Sequence, residues 1–127
     1  MFYILKALED VRDNLTELNK FKKVFIGMPK GIERSKETPF AIILLDQIDH
    51  KGVRIDLTFQ LVIAIDIKND LEELYKDFLE LDYLAKENLF RLPYKVAIET
   101  TFMDEDKLTA FKAGIIRFKI LDLEAKK

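Results

Sequence analysis

The chain has 127 residues, about half of them hydrophobic and 35% charged, as expected for one globular domain over residues 1–127. Its 21 basic and 23 acidic residues nearly balance, so the basic excess of a sequence-specific nucleic-acid binder or a binder of anionic membranes is missing. The lack of cysteine excludes disulfides, thiolate metal sites and cysteine nucleophiles. No apolar run approaches the ~20 residues of a membrane helix. The N-terminus also lacks the basic leader and cleavage site of a signal peptide, which favours a cytosolic protein.

The first third of the chain predicts a helix and two strands. Apolar residues recur at spacings of three and four over residues 2–19, which is typical of an amphipathic helix. Residues 21–27 predict a short strand that is closed by glycine. Residues 28–38 form a polar segment that we expect to be an exposed loop. A proline then opens a second strand over residues 39–46, because proline is tolerated at the first position of a strand.

Residues 53–68 predict an unusually long strand. Its odd positions are all apolar, so one face is hydrophobic over the whole length. At ~3.3 Å per residue the strand would extend roughly 50 Å, and we expect one end to project together with a turn at residues 47–52. The odd positions are Val53, Ile55, Leu57, Phe59, Leu61, Ile63, Ile65 and Ile67.

The second half of the chain predicts a helix and two further strands. Asn69 can cap a helix that continues to about residue 92, where Pro93 ends it. Alternating patterns predict strands over residues 94–103 and 109–123. The element order is therefore α-β-β-β-α-β-β. This order predicts an α+β fold, a two-layer sandwich in which both helices cover one face of a mostly antiparallel or mixed five-stranded sheet.

The sequence offers no residues for catalysis. His50 is the only histidine, so a multi-histidine metal site is excluded within one copy, and its DHKG context predicts a turn with a structural or solvated histidine. Asp104, Glu105 and Asp106 lack the ligand spacing of a calcium loop, and a solvated turn is the simpler interpretation. We therefore expect no enzymatic activity, no cofactor and no metal site.

The even face of the long strand predicts an interface. Thr58, Gln60 and Val62 are small or uncharged, whereas a solvated sheet face would carry charge at its centre. Because interface cores are depleted in charge, we expect this face to meet another copy or another protein. The alternative is a sheet face partly covered by loops of the same chain. On the interface hypothesis, Thr58→Arg with Val62→Glu would break assembly and leave the monomer folded.

The order of elements resembles the tail terminator (tail completion) proteins of long-tailed bacteriophages and prophages. The likeness lies in the VFIG strand at residues 24–27, the PFAII opening at residues 39–43, the TFQLVI segment at residues 58–63 and the helix start at residues 69–71. This resemblance implies a virion structural protein that forms a homo-hexameric ring. The ring would cap the tail tube at the head–tail junction, contact the tube and head-connector proteins, and be assembled in the host cytoplasm.

The resemblance also implies that exposed loops contact ring neighbours, tube or connector. The candidate residues are Lys30, Arg34 and Lys36 in the polar loop, His50 and Lys51 in the turn, and Asp104, Glu105 and Asp106 in the acidic turn. Two other hypotheses stay open. One is a small cytosolic α+β adaptor that binds a partner through its sheet edge. The other is an enzyme that uses scattered carboxylates.

Overall fold

The computed structural model describes residues 2–30, 38–66, 71–104 and 111–124. Two helices and five strands follow one another in the predicted order, which confirms the α+β fold class. The elements are α1 (Phe2–Glu17), β1 (Lys23–Ile26), β2 (Phe40–Lys51), β3 (Arg54–Asp66), α2 (Leu71–Leu89), β4 (Lys95–Asp104) and β5 (Phe111–Glu124). Neither helix of the described residues combines the length and the apolar run that a membrane-spanning helix requires.

The five strands form one mixed sheet in the order β1-β2-β3-β5-β4. Only the pair of β1 and β2 is parallel, and the other three pairs are antiparallel. β3 lies at the centre, so β1 and β4 are the two edges of the sheet. Both helices pack on the same face, with α1 against the β1 side. The prediction of two layers with the helices together is confirmed.

The main core lies between the helices and the odd face of β3. Six odd positions of β3 are at most 5% exposed, as the strict alternation predicts. Ala7, Val11 and Leu15 cover them from α1, and the predicted apolar face of α2 covers the rest. The Phe59 and Phe118 rings stack at the centre with their centroids 5.0 Å apart. The buried β3 residues are Ile55, Leu57, Phe59, Leu61, Ile63 and Ile65.

Gly114 makes room for α2 to approach the sheet. It lies on β5 opposite Ile63, on the face that the helices cover. A Cβ atom built on Gly114 would lie 1.7 Å from Cε1 of Phe78, far inside contact distance. The Phe78 ring therefore occupies the volume that any other residue at position 114 would need for its side chain.

The boundary between β2 and β3 differs from the sequence prediction. β2 continues to Lys51, so the mostly polar residues 47–51 form a strand paired with β3, and Gly52 and Val53 make the turn. Gly52 has a φ of 67°, the positive value expected of this glycine. Val53 is 73% exposed, so its place in the predicted core is wrong. Ile67 lies outside the described residues.

The predicted projection of the hairpin is also wrong. β5 pairs with β3 along its whole length, from Asp66 opposite Phe111 to Arg54 opposite Glu124. β2 and β5 have 12 and 14 residues, so the sheet itself is long enough to use all of β3. β5 therefore runs beside the end of the β2–β3 hairpin, and the hairpin does not project from the sheet as a separate ribbon.

The far face of the sheet, opposite the helices, carries a second core. Val62 is fully buried between Ile42 on β2 and Ile115 on β5. Thr58 is fully buried too, so the prediction that Thr58 and Val62 are open to a neighbouring subunit is wrong. The alternative, a sheet face covered within the same chain, fits both residues. The buried cluster consists of Phe40, Ile42, Val62, Ala64, Ala113 and Ile115, with Phe25 and Leu44 packed against it.

The two helices are joined by reciprocal hydrogen bonds. Asn14 Nδ2 donates to the backbone oxygen of Asn88 at 2.8 Å, and Asn88 Nδ2 donates to the backbone oxygen of Asn14 at 2.6 Å. Asn88 is 9% exposed, so these bonds satisfy amide groups that the helix contact removes from water. The contact fixes which flank of α2 faces α1.

A charged cluster closes the turn end of the sheet. Asp56, which is 5% exposed, accepts a hydrogen bond from the backbone N–H of Asp122 at 2.9 Å. Lys51 Nζ lies 2.7 Å from Asp56 Oδ2 and 3.8 Å from Asp122 Oδ1. Asp122 has a φ of 55° where β5 shifts register against β3. The Asp56 carboxylate thus stabilises an irregular point of the central strand pair.

This cluster predicts a component of acid sensitivity. The hydrogen bonds from Lys51 and from the Asp122 backbone hold the pKa of Asp56 below its usual value, although burial opposes them. A lowered folded-state pKa gives stability that is present above the unfolded pKa of ~3.9 and is lost as the pH falls through the folded value. We therefore expect Asp56→Asn to be less stable than the unmodified chain at pH 7, with the gap closing below pH ~4.

Urea unfolding of both proteins from pH 7 down to pH 3 tests this expectation. Lys51→Met serves as the matched control, because it removes the ion pair and leaves the carboxylate and its backbone donor in place. For each of the two variants, the difference in free energy of unfolding from the unmodified chain should become smaller as the pH falls. A gap for Asp56→Asn that stays constant with pH would contradict the assigned role.

Candidate interaction surfaces

The structure places the sequence-predicted contact residues in different regions. Lys30 and His50 are exposed, and His50 lies in β2 instead of a turn. Lys51 is held by Asp56, so its ammonium group has a structural partner. Gln60 is half-buried on the far face, beside Arg117 of β5. Asp104 is the last residue of β4, and Arg34, Lys36, Glu105 and Asp106 lie outside the described residues.

The described residues hold no grouped metal ligands, and a cavity among them is of mixed character. Within residues 2–30, 38–66, 71–104 and 111–124, no three acidic or histidine side chains are grouped so that they could hold a metal ion. A cavity of about 710 Å³ lies between α1 and the ends of β4 and β5. Its walls mix both charges with apolar side chains, and Tyr3, Pro93 and Leu121 form part of its apolar lining. This composition gives the cavity no clear preference for a ligand.

The phenol of Tyr94 is held in place at this cavity. It donates a short hydrogen bond to Asp10, which also pairs with Lys6 at 3.0 Å. Burial and, after it, the hydrogen bond to Asp10 together raise the pKa of Tyr94 to about 12. Burial alone would raise the pKa of Asp10, but the bonds from Tyr94 and Lys6 lower it. Both groups thus keep their ordinary charge at neutral pH, which fits a structural role.

Beyond the second core, the far face becomes polar. Arg117 lies in the middle of this half, with Nη1 3.4 Å from Asp46 and Nε 3.1 Å from Glu99. Lys119 Nζ lies 3.6 Å from the other oxygen of Glu99. These groups link β2, β5 and β4 across the sheet. Because all four are partly exposed, the network offers a polar surface and little net charge.

An exposed apolar stripe runs along α2. We call it the α2 stripe; it consists of Tyr75, Leu79 and Tyr83 on α2 and of Phe90, which directly follows the helix and keeps its backbone bond to Lys86. Their exposed fractions are 44%, 59%, 54% and 59%. At about 100° of rotation per residue, the four side chains fall within an arc of roughly 80°. Single exposed apolar residues need no explanation, but four on one side of a helix are typical of an interaction site.

The α2 stripe faces away from α1. Asn88 marks the flank of α2 that contacts α1, and Phe78 marks the side that meets the sheet at β5. By the same helical rotation, the α2 stripe lies beside the sheet-facing row, on the flank opposite to Asn88. Since α1 packs on the β1 side of the sheet, the stripe lies toward the β4 edge.

The opposite edge of the sheet is basic. Residues 20–30 contain four lysines and no acidic residue. We call Lys20, Lys22 and Lys23, together with the exposed Ile26 and Met28, the lysine end; all three lysines are exposed. The Lys23 ammonium lies 5.5 Å from the centroid of the Phe25 ring. Positive charge and exposed apolar surface therefore occur together at the β1 edge.

The α2 stripe and the lysine end were missed by the sequence reasoning, although both left a signal. Leu79 and Tyr83 continue the helical spacing of Tyr75, which marks a second apolar row beside the buried one. The acid-free lysine cluster can be read directly from residues 20–30. The near balance of the total charge obscured the lysine end, because it averages an acidic helix and a basic edge. The sequence matches no model of a known protein family and no curated protein sequence.

Proposed function

We propose that this chain is a non-enzymatic structural subunit that assembles with copies of itself into a closed ring. The observation that supports the proposal is the difference between the two lateral ends of the sheet. One end carries the apolar α2 stripe in an acidic helix, and the other carries the basic lysine end. Contacts between two different patches generate rings when the rotation closes.

The resemblance to phage tail terminators implies where such a ring would assemble. A tail terminator ring caps the finished tail tube and joins it to the head connector. The resemblance rests on the α-β-β-β-α-β-β order of elements, and the chain has this order. We therefore propose the head–tail junction of a long-tailed phage or prophage as the site of assembly, with tube and connector proteins as partners.

Mass measurement in solution and negative-stain imaging test the proposal. We expect a homo-oligomer several times the 14.9 kDa chain mass, visible as rings, at micromolar concentration. A purified tail-tube protein from the same genome should be capped by these rings. A strict monomer at high concentration that forms no rings with the tube protein would overturn the proposal.

A second candidate function is an adaptor that binds its partner through the sheet edge. The supporting observation is β4, a ten-residue edge strand whose pairing within the described residues is with β5 alone. An extended peptide could add to such an edge by backbone hydrogen bonds. This candidate predicts a one-to-one complex with a non-viral protein. Neighbouring genes for a tail tube and head completion would favour the ring instead.

A further inference from the structure

We infer that the α2 stripe of one copy binds the lysine end of the next copy. This inference rests on the proposed self-assembly and identifies the two surfaces that make the contact. The binding partner of the α2 stripe is then a second copy of this chain. Three observations support it: the apolar character of both surfaces, their opposite charges and their positions on the molecule.

The apolar part of the contact has anchors on both sides. The α2 stripe supplies two tyrosines, a phenylalanine and a leucine, and aromatic residues are enriched at the centres of interfaces. On the lysine end, Ile26 and Met28 are 37% and 46% exposed. The Tyr83 hydroxyl donates to Glu87 at 2.7 Å, which fixes one ring of the stripe before any partner binds. Such a preordered ring loses less rotational freedom on binding.

The charges of the two surfaces are complementary. The α2 sequence carries six acidic and two basic side chains, whereas residues 20–30 carry four lysines and no acid. Lys86 and Asp82 form an ion pair at 3.0 Å and cancel each other, so an excess of acidic side chains remains on α2. Attraction between opposite charges favours the contact between unlike surfaces, and like charges oppose a contact of either surface with its own copy.

The positions of the surfaces determine the type of assembly. The lysine end lies at the β1 edge, and the α2 stripe lies toward the β4 edge on the other side of the sheet. Each copy that has bound one neighbour through one surface therefore keeps its other surface available for a second neighbour. This head-to-tail contact is heterologous, and it adds subunits until the ring closes.

Two variants test the two surfaces one at a time. Leu79→Glu with Phe90→Glu places charge in the α2 stripe, and Lys22→Glu with Lys23→Glu reverses the lysine end. All four positions are exposed, so the monomer should keep its helical and strand content by circular dichroism. Leu5→Glu with Val53→Glu is the matched control, because it puts charge on two exposed apolar positions outside both surfaces.

The decisive measurement is the molar mass of each variant alone and of their equimolar mixture. We expect each variant alone to have the 14.9 kDa mass of one chain, and the control to assemble like the unmodified protein. The mixture should form a dimer and nothing larger, because only one intact pair of surfaces remains. Assembly of the unmodified protein should also weaken as salt rises.

The outcomes distinguish this inference from the proposed function. If the unmodified protein is monomeric, both the ring and the contact are overturned. If it assembles and either folded variant assembles equally well, the assigned surface is wrong while self-assembly stands. If both variants are monomeric but their mixture forms no dimer, the head-to-tail pairing is wrong.

Discussion

Replacing Val62 with glutamate is expected to unfold the chain. Val62 is fully buried between Ile42 and Ile115 on the far face, in a cluster whose described members are all apolar. An unpaired charge in such a place destabilises a protein by on the order of 4–5 kcal/mol, against a total stability of about 5–15 kcal/mol for a typical domain. Circular dichroism and urea unfolding should show a variant that is largely unfolded or close to its midpoint in water.

The control is a neighbouring change on the same face. Thr58 Oγ1 is buried and has no hydrogen-bond partner among the described residues. Thr58→Val has nearly the same shape and removes the unpaired hydroxyl, so stability should stay constant or rise by about 1 kcal/mol. A Val62→Glu protein that is folded and merely fails to assemble would restore the interface hypothesis for this face.

The second large effect is expected at Gly114. Gly114→Ala places a methyl group 1.7 Å from Cε1 and 2.2 Å from Cζ of Phe78, so the ring or the helix must move. In a strand, alanine is ordinarily preferred to glycine, and the expected sign is therefore the reverse of the usual one. Overpacking of a core destabilises by about 1–3 kcal/mol, which urea unfolding would detect as a lower midpoint with an unchanged slope.

A double-mutant cycle attributes the effect to Phe78. Phe78→Leu alone should destabilise, because it leaves a cavity over Gly114. In the Gly114→Ala background the same change relieves the overlap, so the two effects should fail to add by about 0.5–3 kcal/mol in the favourable direction. Additive effects would show that the backbone at position 114 shifts instead and that the ring is not the limiting contact.

The parts of the fold that the sequence predicted correctly are those in which apolar residues recur at a regular spacing. The odd face of β3 alternates without interruption, and the buried row of α2 keeps helical spacing, so both followed from the sequence. The turn was misplaced because four of residues 47–51 are polar, and neighbouring strands pair through their backbones whether the side chains are polar or apolar. Val53 fits the alternation of β3, yet the two-residue loop takes it out of the strand.

The surfaces were harder to predict because burial depends on what lies on top of a face. Thr58 and Val62 have the mixed character of an interface, and an internal second core shows the same mixture. The need for glycine at position 114 depends on a ring 36 positions earlier in the chain, which no local pattern reveals. The exposure of Tyr75 and Leu79 was hard to predict for another reason. A helix in a two-layer fold buries only one side, and the sequence of α2 has two apolar rows that could each be the buried one.

The central position of β3 has a consequence for how the molecule opens. β3 is paired on both sides and packed on both faces, so its amides can meet solvent only when both cores come apart. β1 has four residues and a single neighbouring strand, and its separation from β2 leaves the rest of the ladder intact. The protein thus combines a rigid centre with one edge that opens locally, and that soft edge carries the lysine end.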